Sequence, residues 1–493
     1  MHNAPLLPDV FIMIMTIIIW LSDIITGKKG QGLTYVATVT SALISSFWYA
    51  VVTIDPYVYH YFYDMYVVDP FSSLMKLFIS LGFAVSLIYS RQYIKERNLS
   101  GGDFYLLALF SLLGQLVMVS GNNFLTLYLG LELTSLSLYA LIALRRNMPQ
   151  STEAAIKYCV LGALSSGFLL YGISMIYGET GSFNLNNVSA VITSGSVNHT
   201  ALLFGVVFIV TSISFKIGIV PFHMWVPDVY SGAPTAITLL VGGIAKVSVF
   251  AWVLRFLMVG LLPLAVDWQM MLAILAALSL IVGNIAGIVQ HNVKRMLAYS
   301  AISNMGFLML GLISGVIDGK ASNIVNSYGS AVFYSITYML PTLGAFGVII
   351  LLARYNFEAD TLDDFKGLNK RSRLFAFVML SIMLSLAGIP PAVGFYAKFA
   401  VLQAAINANL TWLAVLAVIA SLSGAFYYLR IIKLMYFNEP VDKTPIVSYV
   451  ASRVILICNG FIVLLLGVFP GPLMSSCLWA VRQTLSFNGS SCG

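Results

Sequence analysis

Ser212–Asp228 reads SISFKIGIVPFHMWVPD, an apolar run with Lys216 near its middle and a proline five residues on. Pro221 lacks an N–H and clashes with the preceding turn, so a helix through this stretch must open near Lys216 and Ile217. A second stretch, Leu384–Phe399, reads LSLAGIPPAVGFYAKF; Gly388, Pro390, Pro391 and Gly394 interrupt it, and Lys398 follows the break. Inside a bilayer, backbone groups freed in this way survive only where they face protein or water. Proline alone also kinks membrane helices. A lysine beside each break is what points to a transport site.

Composition places both stretches in a membrane. The chain has 493 residues, 59% hydrophobic and 9% charged, with mean hydropathy +0.91. Repeated apolar runs of the length a spanning helix needs predict an all-α polytopic membrane protein, and the period-2 pattern of a membrane barrel is absent. Fourteen spans are predicted, at about 8–25, 33–54, 66–89, 103–120, 123–144, 154–177, 201–225, 233–258, 268–290, 296–316, 325–353, 374–403, 410–436 and 452–470. The first lacks a basic leader and a cleavage site, so it reads as an uncleaved helix. Four cysteines form no CxxC and no cluster with histidine, and no phosphate-binding glycine loop occurs. No metal or cofactor site is therefore expected in this chain. Cys477 and Cys492 could bridge outside the membrane or remain free thiols.

The net charge of +7 is an orientation signal and does not point to nucleic acid. Of the 26 Lys and Arg residues, eighteen fall in loops on one side and five lie within spans. Only Arg255, Lys320 and Arg482 fall on the other side. The positive-inside rule then sets both termini outside and the basic loops in the cytoplasm. The longest cytoplasmic loop, about 354–373, mixes basic residues with Glu358, Asp360, Asp363 and Asp364; it reads as a solvated linker or a contact to a partner subunit.

Two interrupted spans five apart suggest two related five-helix units within a single membrane domain, 1–493. Spans 1–3 (about 8–89) precede the first unit (about 103–258); the second (about 268–436) is followed by span 14 and the tail (about 452–493). An odd helix number inverts the second unit relative to the first, the plan of secondary transporters with a site at the breaks.

Lys76, Lys157, Lys216, Lys246 and Lys398 lie in spans, and Glu132 joins them as the one carboxylate deep in any span. A charge at the bilayer centre costs about 2.5–3.5 kcal/mol on the most lenient scale, so the set marks an ion pathway, and protons are the natural cargo of titratable groups. Lys216 is the counter-ion for Glu132. Opposite charges within about 4–6 Å keep each other ionised and desolvation favours neutrality, so such a pair can switch as its spacing changes. The other groups are open to two readings. His223 either relays protons or caps the broken helix. Lys157, one turn after Glu153, either relays, or only snorkels or pairs with that glutamate. Lys76, two turns after Asp69, reads as structural.

At these residues the chain resembles a known family. FLTLYLGLELTSLSLYAL (124–141), FKIGIVPFHMWVPDVYSGAPT (215–235), IAKVSVF (244–250), VKRMLAYSAISNMGF (293–307) and GIPPAVGFYAKF (388–399) are similar to the antiporter-like membrane subunits of respiratory complex I, most of all to the N-type subunits of bacterial NADH–quinone oxidoreductase. The resemblance implies that Glu132 and Lys216 are the family's Glu–Lys pair, Lys246 the central lysine and Lys398 the terminal one. Lys294 and Tyr299 fall in a matching segment, although the positive-inside rule accounts for Lys294 without a function. It also implies proton translocation as a non-redox part of a translocating NADH:quinone oxidoreductase. Flavin, iron–sulfur clusters and the quinone site would then lie in partner subunits. The alternatives are a subunit of a multisubunit cation/proton antiporter or of a membrane-bound hydrogenase-type complex, and a scaffold whose buried charges only fix helix packing.

Overall fold

The computed structural model describes residues 4–97, 99, 101–195, 197–317, 323–354, 357–441, 444, 446 and 449–487. Lys320, Lys443 and Cys492 lie outside them. The first part of the chain forms α1 (Leu7–Thr26), α2 (Gln31–Val52), a hairpin of β1 (Tyr59–Tyr61) and β2 (Tyr66–Val68), α3 (Pro70–Glu96), α4 (Gly101–Ser120), α5 (Phe124–Ile142) and α6 (Pro149–Thr180). Then come α7 (Leu185–Thr193), α8 (His199–Ile217), α9 (Trp225–Gly232), α10 (Thr235–Leu239), α11 (Ala245–Arg255), α12 (Ala265–Val289), α13 (Val293–Ile313) and α14 (Ile324–Leu352). The last are α15 (Leu368–Arg371), α16 (Arg373–Ala387), α17 (Val393–Asn407), α18 (Thr411–Phe437), α19 (Val450–Val468) and α20 (Gly471–Phe487).

Among the described residues thirteen helices are long and apolar enough to cross a membrane. The twelfth predicted span is missing from that count because it is split into α16 and α17, fifteen residues each. Span 7 is likewise split, into α8 and α9. Apolar side chains gain little by leaving lipid for protein, so membrane helices associate through close packing at small residues. Here α4 meets α5 at Gly114 and Gly130, where an added Cβ would lie 2.6–2.7 Å from the facing helix backbone. A Cβ added at Gly172 of α6 would likewise lie 2.7 Å from the Gly205 carbonyl oxygen of α8.

The span built from α10, α11 and their flanking π-helical turns, Thr235–Gly260, is wholly enclosed by the other helices. It carries Lys246 into the middle of the bundle. α13 and α14 are nearly as enclosed, and α1, α6, α18 and α19 form much of the periphery.

One loop folds differently from the sequence reading. The stretch 357–365 is not a free solvated linker, because it straps back onto this chain. Val293 N donates to Asp360 O (2.6 Å), Leu362 N to His291 O (3.1 Å) and Asn292 Nδ2 to Asp360 Oδ2 (2.8 Å). Its Glu358 accepts from Arg145 Nη1 (2.8 Å), Tyr93 Oη (2.9 Å) and Arg97 Nε (3.1 Å). In the tail, α20 packs over α14 and α3, and the free thiol of Cys477 is fully buried there.

Two expectations about charge are corrected at the opposite end of the bundle. Arg255, within predicted span 8, is buried in α11 and holds both carboxylate oxygens of the buried Asp69 at 2.9 Å. Asp69, the cap of α3, is thus a buried carboxylate besides Glu132, which the sequence reading counted as the one carboxylate deep in any span. Lys76 does not face Asp69. It is fully buried and donates to Asp9 of α1 and to Tyr66 Oη, all at 2.9 Å.

Candidate functional site

The break in span 7 begins at Gly218, which ends α8 with φ +80° and donates to Ser214 O (2.9 Å). Only glycine adopts this left-handed cap without cost. Freed groups are satisfied within the protein: Ile219 N donates to Ser214 O (3.0 Å), and Val220 N to Ser279 Oγ of α12 (2.9 Å). Trp225 Nε1 folds α9 back by donating to Phe215 O (2.9 Å). The break in span 12 repeats the device. Gly388 ends α16 with φ +81°, and Gly394 N donates to Ser385 Oγ (3.2 Å). Val220–Pro221 and Pro390–Pro391 are cis peptides.

What remains at each break is the carbonyl end of a half-helix, which attracts a cation. Each is met by a lysine. Lys246 Nζ donates to Ile217 O and lies 4.8 Å from the Trp225 ring centre. Lys398 Nζ donates to Leu386 O, Ala387 O and Ser421 Oγ, each at 3.1 Å, and lies 5.0 Å from the Phe307 ring centre. The two lysines reach their breaks differently. Lys246 comes from the following span, whereas Lys398 comes from the second half of the broken span itself.

Lys216, one residue before the carbonyl that Lys246 caps, points to the other side of α8. Its Nζ stands 3.6 Å from Glu132 Oε1 and donates to Ser135 Oγ and Ser166 Oγ at 3.2 Å. Ser166 Oγ also bonds to Glu132 Oε1. Lys216 is buried, whereas the Glu132 side chain is 20% exposed at the edge of α5. Glu132, Lys216 and Lys246 therefore form one connected group, with Lys398 at a second centre.

The remaining predicted residues lie around these centres. Lys157 pairs with Glu153 (2.6 Å) and Asp228 (2.8 Å), and Asp228 also holds Arg295 (3.1 Å). These line a polar cleft of about 320 Å³ between α6, α9 and α13. The next residue, Tyr158, stacks on Trp225 with ring centres 4.4 Å apart, and Trp225 is the ring that Lys246 approaches. Lys294 is buried and donates to Ala233 O (3.0 Å), which ties it to the loop before α10. His223 lies in the span-7 break, where its carbonyl accepts from Val226 N (2.9 Å) to start α9, and its Nδ1 is buried without a partner among the described residues. Tyr299 is half-buried against the apolar core and joins none of these contacts.

Sequence reasoning missed the serines. Ser135 lies three residues after Glu132 and so on its helix face, but serine is too common in membrane helices to stand out. It also missed a hydroxyl–amide network beside Lys398. Tyr334 Oη donates to Asn304 Oδ1 (2.8 Å), Asn304 Nδ2 donates to Ser300 O (2.9 Å), and Ser300 Oγ bonds to Tyr428 Oη. Asn304, Tyr334 and Lys398 line a cavity of about 20 Å³, room for about one water. Among the described residues no three His, Cys, Asp or Glu side chains gather as a metal site.

The profile of the family described as NADH:quinone oxidoreductase/Mrp antiporter, transmembrane, matches residues 121–424. The chain is 64% identical to NADH-quinone oxidoreductase subunit N of Paraburkholderia phymatum, covering 98% of this chain and 100% of that one. Among solved structures, a chain of respiratory complex I from Thermus thermophilus with bound aureothin aligns with TM-score 0.82 and 28% identity, over 96% of this chain and 100% of the other. A chain of the Mrp complex from Dietzia sp. aligns with TM-score 0.85 over the whole of both chains at 18% identity, a likeness of fold alone. Two split spans with a lysine at each break and a Glu–Lys pair beside the first thus sit in a chain that belongs to the NADH:quinone oxidoreductase/Mrp antiporter membrane family, among its NADH-quinone oxidoreductase N subunits.

Proposed function

We propose that this chain carries protons across the membrane as part of an NADH–quinone oxidoreductase complex, with Glu132, Lys216, Lys246 and Lys398 as the groups that hold them in turn. The observation that carries the reading is the connected arrangement at the first break. The Glu132–Lys216 pair at 3.6 Å adjoins the Ile217 carbonyl capped by Lys246, so a change in the pair's spacing is felt by the next lysine. Charges buried at this depth are otherwise rare in membrane helices. The partners are the other subunits of complex I. Flavin, iron–sulfur clusters and quinone belong to those partners in this reading, and this chain takes a non-redox role. Lys157, Lys294 and His223 serve as flanking groups on the route, with Tyr299 the weakest of the set.

The matched glycine caps at Gly218 and Gly388 support two inverted five-helix units, about 103–258 and 268–436, with spans 1–3 and 14 outside them. The face that gathers Arg97, Arg145 and Glu358 is the cytoplasmic one of a bacterial inner membrane, with both termini on the periplasmic side. The identity to N subunits favours the complex over a free-standing cation/proton antiporter. The test is NADH-driven acidification of vesicles reconstituted with the purified complex. Lys246→Ala should abolish or sharply reduce it while the complex stays assembled; unchanged acidification would remove Lys246 from the route.

A further inference from the structure

We infer that Ser166 is a proton relay between Lys216 and Glu132, a rotating hydroxyl through which the proton passes from one to the other. The inference rests on the reading of Glu132 and Lys216 as proton carriers and adds a third member to that pair. Ser166 sits on α6, 5% exposed, and its Oγ has three partners: Lys216 Nζ at 3.2 Å, Glu132 Oε1, and Gly162 O at 3.0 Å.

The donor and acceptor inventory limits what these contacts can be. A serine oxygen carries one hydrogen and two lone pairs, an ammonium only donates and a carbonyl only accepts. A carboxylate accepts, and donates only once protonated. With Glu132 ionised, the Ser166 hydrogen points at Oε1, and Lys216 donates to the Ser166 oxygen. With Glu132 protonated, Glu132 is the donor, and the Ser166 hydrogen must turn away. Gly162 O, one helical turn back, is the acceptor waiting for it.

Transfer follows from the first arrangement. An Nζ–H bond of Lys216 breaks as a bond to Ser166 Oγ forms; the original Oγ–H bond breaks as Oε1–H forms. The ammonium and carboxylate become a neutral amine and a neutral carboxylic acid, and Ser166 is again a hydroxyl. Its new hydrogen faces Lys216. Rotation onto Gly162 O resets the hydroxyl without returning the proton. A serine in a membrane helix often bonds the carbonyl four residues back and does no more. Here the same oxygen also joins the acid to the base, whose direct separation, 3.6 Å, is longer than a hydrogen bond.

The experiment compares Ser166→Ala, Ser166→Thr, Ser166→Val and Glu132→Gln in the purified complex reconstituted into vesicles, reading NADH-driven acidification. Threonine keeps the hydroxyl, and valine has nearly the same shape without it. The relay requires acidification to fall several-fold in the alanine and valine variants and to remain near the unaltered level in the threonine variant. If the alanine variant fails to assemble, the threonine–valine pair carries the test alone. Unaltered acidification without the hydroxyl, while Glu132→Gln is deficient, overturns the relay and leaves the Glu132–Lys216 reading standing. Threonine as deficient as valine also overturns it. Normal acidification by Glu132→Gln removes the parent reading and the relay with it.

Discussion

Lys246 Nζ donates to the carbonyl oxygen of Ile217, the residue at which α8 stops. The lysine thus completes a half-helix of another span, and anything that moves the break moves the lysine. Gly218 separates them. A Cβ there would lie 2.9 Å from Lys246 Nζ and 2.6 Å from Val226 Cγ2, at φ +80°. The left-handed conformation alone costs a non-glycine residue about 1–2 kcal/mol. Gly218→Ala should therefore depress vesicle acidification although no titratable group is removed. Gly167→Ala, at a glycine of α6 with open space around it, is the control and should pump normally. Equal pumping by the two would show that the cap does not hold Lys246 in place.

Lys398 satisfies the carbonyls of Leu386 and Ala387 together, the two last residues of α16. If its function is to take and release a proton, an arginine cannot replace it, because guanidinium does not deprotonate in a protein. Lys398→Ala and Lys398→Arg should both pump poorly, with the arginine variant assembling better because the half-helix keeps its cation. Normal pumping by Lys398→Arg would mean that a fixed positive charge is all the second break requires.

Much of this was legible in the sequence because prolines and buried charges are costly in a membrane and cannot be hidden. The breaks at Pro221 and Pro390, the isolation of Glu132 and the lysines beside the breaks follow from single residues. What the chain did not reveal is which charge meets which across distant spans. Asp9 and Lys76 are 67 residues apart and Asp69 and Arg255 186 apart, so spacing along one helix could not pair them. Asp69 looked like the neighbour of Lys76 by helical phase, but it sits at the cap with its carboxylate turned to α11. The loop at 357–365 was misread because its acidic residues suggest solvation, whereas three cations on other elements surround Glu358.

The Asp69–Arg255 pair ties the cap of α3 to the end of α11, in the span that carries Lys246. Removing one partner of a buried pair leaves an uncompensated charge and costs about 3–5 kcal/mol, while replacing both by apolar groups is often tolerated. Asp69→Asn should lower the amount of assembled complex in membranes, and Arg255→Met combined with Asp69→Leu should recover part of it. Comparable loss in the double variant would point to the bond that Ser72 N donates to Asp69 Oδ1 (2.8 Å) and the one that Arg255 Nε donates to Val119 O (3.0 Å) as the larger contribution.

Glu358 supplies the pH dependence outside the membrane. Partial burial pushes its carboxyl upward, but Lys294, Arg97, the Tyr93 hydroxyl and Arg145 together outweigh that and hold it below the ordinary 4.5. The sign follows from linkage. A folded value below the unfolded one means that the strap's stabilisation is fully present above about 4.5 and is lost as pH falls through the lower folded value. The charge-assisted bonds at stake are worth about 1.5–3 kcal/mol each at most, less where partly exposed. Hydrogen exchange of the Val293 and Leu362 amides, corrected for the intrinsic effect of pH, should show protection that is level from pH 7 to 5 and declines below 4.5. Glu358→Gln should begin with weaker protection at pH 7 and show no further decline from this source. An equal acid-induced decline in both proteins would remove Glu358 as its source.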